Sequence, residues 1–379
     1  MTLKYSVGLD FSKSKIDATI CTINHQQLVE YKSSCCFNNT KSGFINLSKW
    51  ISKFTQQHPQ VPVFICLEAT GIYHENCAYY LFDLSYQLSI ILPNKAKKYF
   101  QSLGLKSKND KIDAKGLARM GAEQKLPLWV KPKEIYVTLR SLTRQYQSIQ
   151  ENITAEGNKL HAEELSAIPN KEVLKQLKSL IQFLVNQKKE IEKEILKCIK
   201  SDPEIKSKMD NVCMVRGLST LSIATVIAET SGFELFENYK QVVSYAGYDV
   251  VENQSGLHSG KTKISKKGNS RIRRILHMPS LTAIGSEGSS YQQLYLRIYE
   301  RTGIKMKGIV AVQKKLLLTI YYLWKKNIPY NINILKEKQV LASPNEVPLK
   351  QKNSHIKDMA TQGKHPVSSH STLPLPNQR

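Results

Sequence analysis

Short apolar runs alternating with polar turns open the chain. Residues 5–11 (YSVGLDF) and 16–23 (IDATICTI) are apolar or alternating, parted by SKSK, and 27–36 continues the pattern. Period-two patterning of this kind predicts three strands joined as a meander. An amphipathic stretch over 41–57 predicts a helix and leads into VPVFICLEA at 61–69. That run is too continuously apolar for a half-exposed strand and predicts one inside a sheet. Helix, strand (LSIILPN, 88–94) and further helix follow, so the fold class expected over 1–130 is α/β, a mixed sheet covered by helices.

The period then changes. Leu139, Leu142, Tyr146, Ile149 and Ile153 recur at spacings of three and four, as do Leu174, Leu177, Ile181 and Leu184, with Ile191 and Ile195 continuing the second stripe. This predicts two long amphipathic helices broken around Pro169, a helical connector over 131–205. It reads equally as a hairpin within the chain or as a coiled-coil arm for dimerisation. Residues 206–335 predict a second, mainly helical block, and 336–379, where prolines lie among Ser, Asn, Gln and Lys, predict a disordered tail.

Composition narrows the partners. Lys plus Arg is 55 against 31 for Asp plus Glu, a net charge of +24 that favours polyanions, nucleic acid first. The seven cysteines show no CxxC spacing and read as reduced thiols. No stretch stays apolar for the roughly 18 residues of a membrane span. The expectation is a cytoplasmic protein with no membrane partner.

Asp10 ends the first predicted strand and Glu68 ends the buried one. Ligands of α/β sheets collect beyond the carboxyl ends of strands, so the two acids converge if those strands are parallel neighbours. Asp110 and Asp113 open a helix predicted from about Asn109, three residues apart and therefore on one face. Four carboxylates without His or Cys suit a hard cation such as Mg²⁺, and a pair of ions about 4 Å apart is an arrangement used for phosphoryl transfer. Each acid taken singly has a structural explanation, as a turn cap, a lysine partner or a helix N-terminal residue. The surroundings favour the functional one: no acid occurs from Leu84 to Asn109, while Lys95, Lys97, Lys98, Lys106 and Lys108 crowd the approach to Asp110.

In the second block, VCMVRGLSTLSIATVIA (212–228) has the outline of a helix-hairpin-helix phosphate element with Ser219 in place of the second glycine; an ordinary helical turn fits as well. Downstream, no acid occurs from Asn253 to Ser286, and Lys261, Lys263, Lys266, Lys267, Arg271, Arg273 and Arg274 form a basic cluster suited to phosphates. Ser255, in Gln-Ser-Gly, precedes it. A serine needs a base or a metal to become a nucleophile, and His258 is a candidate base by proximity alone.

Taken together, VGLDFSKSKID, CLEATGIYH, KNDKIDAKGLARM and YAGYDVVENQSG…TKISKKGNSRIRRIL resemble, over residues 5–330, the DEDD transposases of the IS one-ten insertion-sequence family. The resemblance implies an RNase H-like (RuvC-like) domain whose Asp10, Glu68, Asp110 and Asp113 hold Mg²⁺ or Mn²⁺, and a C-terminal transposase domain with Ser255 as nucleophile. It also implies donor and target DNA as substrates, a bridge RNA from the element's noncoding end as guide, and self-association into a dimer or tetramer. Three other readings stand beside it. A RuvC-like Holliday-junction nuclease would keep the acids and use water in place of Ser255. A sugar-kinase-like ATPase would use the SKSK turn, which lacks that fold's glycine. A catalytically inactive nucleic-acid binder needs only the charge.

Overall fold

β1 (Thr2–Phe11), β2 (Lys15–Asn24) and β3 (Val29–Asn38) form the antiparallel meander. The chain crosses through α1 (Lys41–Thr55), started by the Thr40 side chain, into β4 (Val63–Glu68), then through α2 (Glu75–Asp83) into β5 (Gln87–Ile91). The order is β3-β2-β1-β4-β5, with β4 parallel to both its neighbours. The apolar run at 61–69 is thus inside the sheet, as its composition requires. The computed structural model describes residues 2–331 apart from 70, 105–108, 252–253, 256–257 and 261–262. The expected tail lies outside the described residues. Among them, no helix is long and apolar enough to cross a membrane.

The two-residue period decides what each face of the sheet meets. Val7, Leu9 and Phe11 of β1, Ile16, Ala18 and Ile20 of β2, and Ile65 and Leu67 of β4 pack against Phe44, Leu47 and Ile51 of α1 and Cys77, Ala78 and Leu81 of α2. The alternate positions, Cys21, Phe64 and Cys66 among them, face α3 (Pro93–Ser102) and α4 (Asp110–Glu123). A Cβ at Gly8 would run into the backbone of Ala114 and Ala118, so α4 rests directly on β1. Backbone atoms cannot rotate aside as a side chain can. Gly8→Ala is therefore expected to lift α4 and cost about 3 kcal/mol, the upper end for overpacking; an unchanged denaturation midpoint would contradict this contact.

α5 (Glu134–Glu164) and α6 (Lys171–Lys200) are the two predicted long helices, the second capped by Asn170. They pair within the chain as a hairpin, held in part by Lys188 donating to Gln150 and by the Lys178–Glu164 ion pair. Tyr136 and Leu139 of α5 and Ile195 and Ile199 of α6 enter a helical core. That core also takes in α7 (Pro203–Cys213), α8 (Thr220–Thr230), α9 (Tyr239–Tyr245) and the apolar face of a later helix that carries Trp324. Gly217, at φ +92, turns the chain between α7 and α8, and Ser219 with Ser222 forms a capping box. The serine that departs from the helix-hairpin-helix pattern is thus the N-cap.

Short strands follow: β6 (Val250–Val251), β7 (Gln254–Ser255), β8 (His258–Ser259) and β9 (Lys263–Ile264), with β6 paired to β9 and β7 to β8. α10 (Ser270–Ile275), α11 (His277–Ile284), α12 (Ser290–Thr302) and α13 (Lys305–Lys326) complete the block. One carboxylate is sealed inside it. Glu229, its side chain 1% exposed, accepts two hydrogen bonds from Arg144 at 2.7 and 2.9 Å and one from Asn269 at 2.7 Å. Burial alone would push its pKa up; the Arg144 and Asn269 bonds outweigh that and hold it below the usual value. Asn269 also caps α10, so this carboxylate ties α5 to the start of the basic helix.

Candidate functional site

Period two delivers the acids to one face. Asp10 follows Ser6 and Gly8 on the α4 side of β1, and Glu68 follows Phe64 and Cys66 on the α4 side of β4. Leu9 pairs with Leu67 in parallel register, so both acids reach the same end of the sheet. α4 begins there. Asn109 accepts from the Ile112 amide at 2.8 Å and fixes the first turn, which carries Asp110 and Asp113.

These groups sense one another. The half-buried Asp10 carboxyl is pushed up to about 7, first by burial, then by the charge of Asp113, with smaller contributions from Asp110 and Glu68; the Phe11 amide at 3.0 Å opposes the rise. The oxygen donors suit a divalent cation, whose charge would relieve this repulsion. Their spacing is looser than that of a closed site: among the described residues, no three His, Cys, Asp or Glu side chains stand close enough to hold an ion. The residues fit the group by donor chemistry and mutual repulsion.

Asp17 escaped the sequence reading. It pairs directly with Asp10 across β1 and β2 and so shares its face, and its pKa is raised by burial and by Asp110. Alternation in IDATI supplied a signal, but only the register puts Asp17 opposite Asp10. His74, in the CLEATGIYH segment, lies edge-on to Phe11 with ring centres 6.4 Å apart, one residue beyond Asp10.

Ser255 is carried on β7, whose backbone ladder puts it opposite His258. Of the predicted phosphate-binding cations, Lys95, Lys97 and Lys98 are exposed on α3 while Ala96 faces the core. Lys263, Lys266, Lys267 and Arg271 are exposed. Two others have structural partners: Arg273 donates to the Ala246 and Gly268 carbonyls, at 2.8 and 3.2 Å, and Arg274 pairs with Glu151. Lys106, Lys108 and Lys261 lie outside the described residues.

Comparison with known proteins gives the class first. A family model described as "Transposase" matches residues 7–168, the span holding all four acids, and the chain is an enzyme of the transposase and DNA recombinase class. A second model, "Transposase IS116/IS110/IS902 family", matches residues 209–296, which include Ser255; with the two models covering about two thirds of its length, the chain belongs to that family. It is similar to the pilin gene-inverting proteins of Moraxella lacunata and Moraxella bovis, each 26% identical over 332 residues, 87% of this chain and 99% of the relative. Among solved structures, Thermus thermophilus RuvC in complex with a Holliday junction substrate aligns at TM-score 0.24 and 9% identity over 30% of this chain and 90% of its own. An Aquifex aeolicus Ppx/GppA family member aligns at 0.21 and 7% over 90% and 99%. Similarities at that level carry no argument about function.

Proposed function

We propose that this transposase inserts and excises an insertion sequence by serine attack on DNA phosphodiesters, assisted by metal at the acid cluster and guided by a bridge RNA encoded beside the gene. The observation that carries the reading is that β1, β4 and the first turn of α4 bring Asp10, Glu68, Asp110 and Asp113 to one end and one face of the sheet. These four would hold Mg²⁺ or Mn²⁺, which supplies charge neutralisation at phosphate oxygens. The reading takes 1–130 as an RNase H-like domain, 131–205 as a connector that also serves self-association, and 206–335 as the serine-bearing domain.

The chain's own steps follow. Lys95, Lys97 and Lys98 on one side and Lys263, Lys266, Lys267 and Arg271 on the other hold phosphates and set the strand's register. The Ser255 hydroxyl oxygen forms a bond to phosphorus as the P–O3′ bond breaks; the serine proton is given up and the leaving O3′ takes one. A 5′-phosphoserine link results. A second strand's 3′-hydroxyl reverses the exchange, releasing serine and joining new DNA.

Trapping on denaturing gels tests this. Wild-type protein with its element DNA and flanking RNA is expected to form a covalent protein–DNA adduct, and Ser255→Ala is expected to form none. An adduct surviving in Ser255→Ala would sink the assignment, and cleavage by wild type without any adduct would favour the water-using junction nuclease.

A further inference from the structure

We propose that the cavity between α12, α13 and the β6–β9 pair holds one unpaired DNA nucleotide, its base on an apolar floor and its phosphates on a cationic rim. The inference rests on the reading of Ser255 as the residue that attacks DNA. The cavity has a volume of ≈ 760 Å³, within the range of small-ligand sites and ample for a nucleotide with both flanking phosphates.

Its lining divides by chemistry. Lys263 and Lys266 reach it from the β9 side, Arg301 from the end of α12, and Lys307 and Lys314 from α13. No acid lines it among the described residues, and none of these five cations pairs with a carboxylate among them. Its apolar lining is Ile298, Ile304, Met306 and Val310 together with the buried Tyr248. Tyr248 is held in place: its hydroxyl bonds Gln313 at 3.0 Å, and the Gln313 amide nitrogen lies 3.1 Å from His277 Nδ1. Met306 and Ile304 are 54% and 47% exposed although they sit among cations.

A duplex matches only half of this surface. Its phosphates would meet the rim, but its base faces are stacked away and leave the floor uncovered. An extruded or single-stranded nucleotide offers an apolar ring face and anionic phosphates together. The place in the chain points to DNA at the reacting strand, because Val250 of β6 and Lys263 and Ile264 of β9 line the cavity, and these two strands lead into and out of the segment that carries Ser255.

The test is fluorescence anisotropy with full-length Ser255→Ala protein as the reference, at fixed salt, using a labelled single-stranded DNA, a duplex and a single-stranded RNA of equal length. Ala311→Phe fills the cavity, Met306→Ala trims its exposed floor, and Lys307→Ala/Lys314→Ala strips its rim. Each is expected to weaken single-stranded DNA about tenfold, the scale of one lost stacked base, while the two apolar changes alter duplex binding by less than about twofold. Unchanged single-strand affinity in Met306→Ala and the lysine pair, or duplex losses equal to the single-strand losses in the two apolar variants, would overturn the proposal. Tighter binding of the RNA, lost in the same variants, would overturn the assignment to DNA. Binding in the reference protein is read without adduct chemistry, so the outcomes separate: an adduct that survives in Ser255→Ala beside an intact cavity effect rejects only the Ser255 reading, and an adduct lost in Ser255→Ala with no cavity effect rejects only the cavity.

Discussion

Asp10→Ala is expected to lower recombination between donor and target plasmids by about a thousandfold or more, equivalent to about 4 kcal/mol of transition-state stabilisation. Asp10 ends β1 within the influence of Asp113, Asp110 and Glu68, so its removal takes away a half-buried oxygen donor of the group. Asp113→Ala should do the same from the α4 side. Because its loss also removes a mutually repelled carboxylate, Asp10→Ala should not lower the denaturation midpoint. That sets it apart from Gly8→Ala, which acts on the same neighbourhood by displacing α4. Full activity of an Asp10→Ala/Asp113→Ala protein would refute the site.

Arg144→Ala is expected to destabilise the helical core by about 3 kcal/mol near neutral pH, the lower end for a broken buried pair, because Arg144 keeps 45% of its side chain in solvent while Glu229 keeps 1%. In wild type, Glu229 has a lowered folded pKa, so its contribution is fully present above the unfolded value of roughly 4.3. It fades as pH falls through the folded pKa. In the variant the carboxylate has lost its main partner and burial dominates, so protonation becomes favourable and the deficit should shrink as pH is lowered. Denaturant titrations at neutral and acidic pH would measure this, and Arg144→Ala/Glu229→Gln should recover much of the loss. A deficit independent of pH and unrelieved by Gln would mean that Arg144 contributes by packing alone.

Local pattern carried the acids well. Alternation in YSVGLDF, a buried run ending in Glu68 and a helix starting near Asn109 all depend on neighbours within a few residues, and the structure forms each where the pattern puts it. Features that depend on register or distant pairing were not legible. Asp17 becomes Asp10's neighbour only through the β1–β2 register. Arg273 looked like a phosphate ligand, yet its guanidinium is directed to the carbonyls of Ala246 and Gly268 by a turn its own sequence does not reveal. The Arg144–Glu229 pair joins residues 85 apart. The nucleotide-sized cavity needs α12, α13 and β9 to come together, and no single segment announces it.

The position of β1 in the sheet has a consequence for the newborn chain. Asp10 leaves the ribosome early, but its strand lies between β2 and β4, and the acids of α4 are encoded about a hundred residues later. At roughly 5–20 residues per second, synthesis takes about 5–20 s to cover that interval. Until α4 settles onto Gly8 the carboxylates have no common location, so a nascent or truncated chain lacking α4 carries its first acid with nothing to cut. On the proposed reading of these acids, the cluster that would hold the metal exists only once the chain has folded through α4.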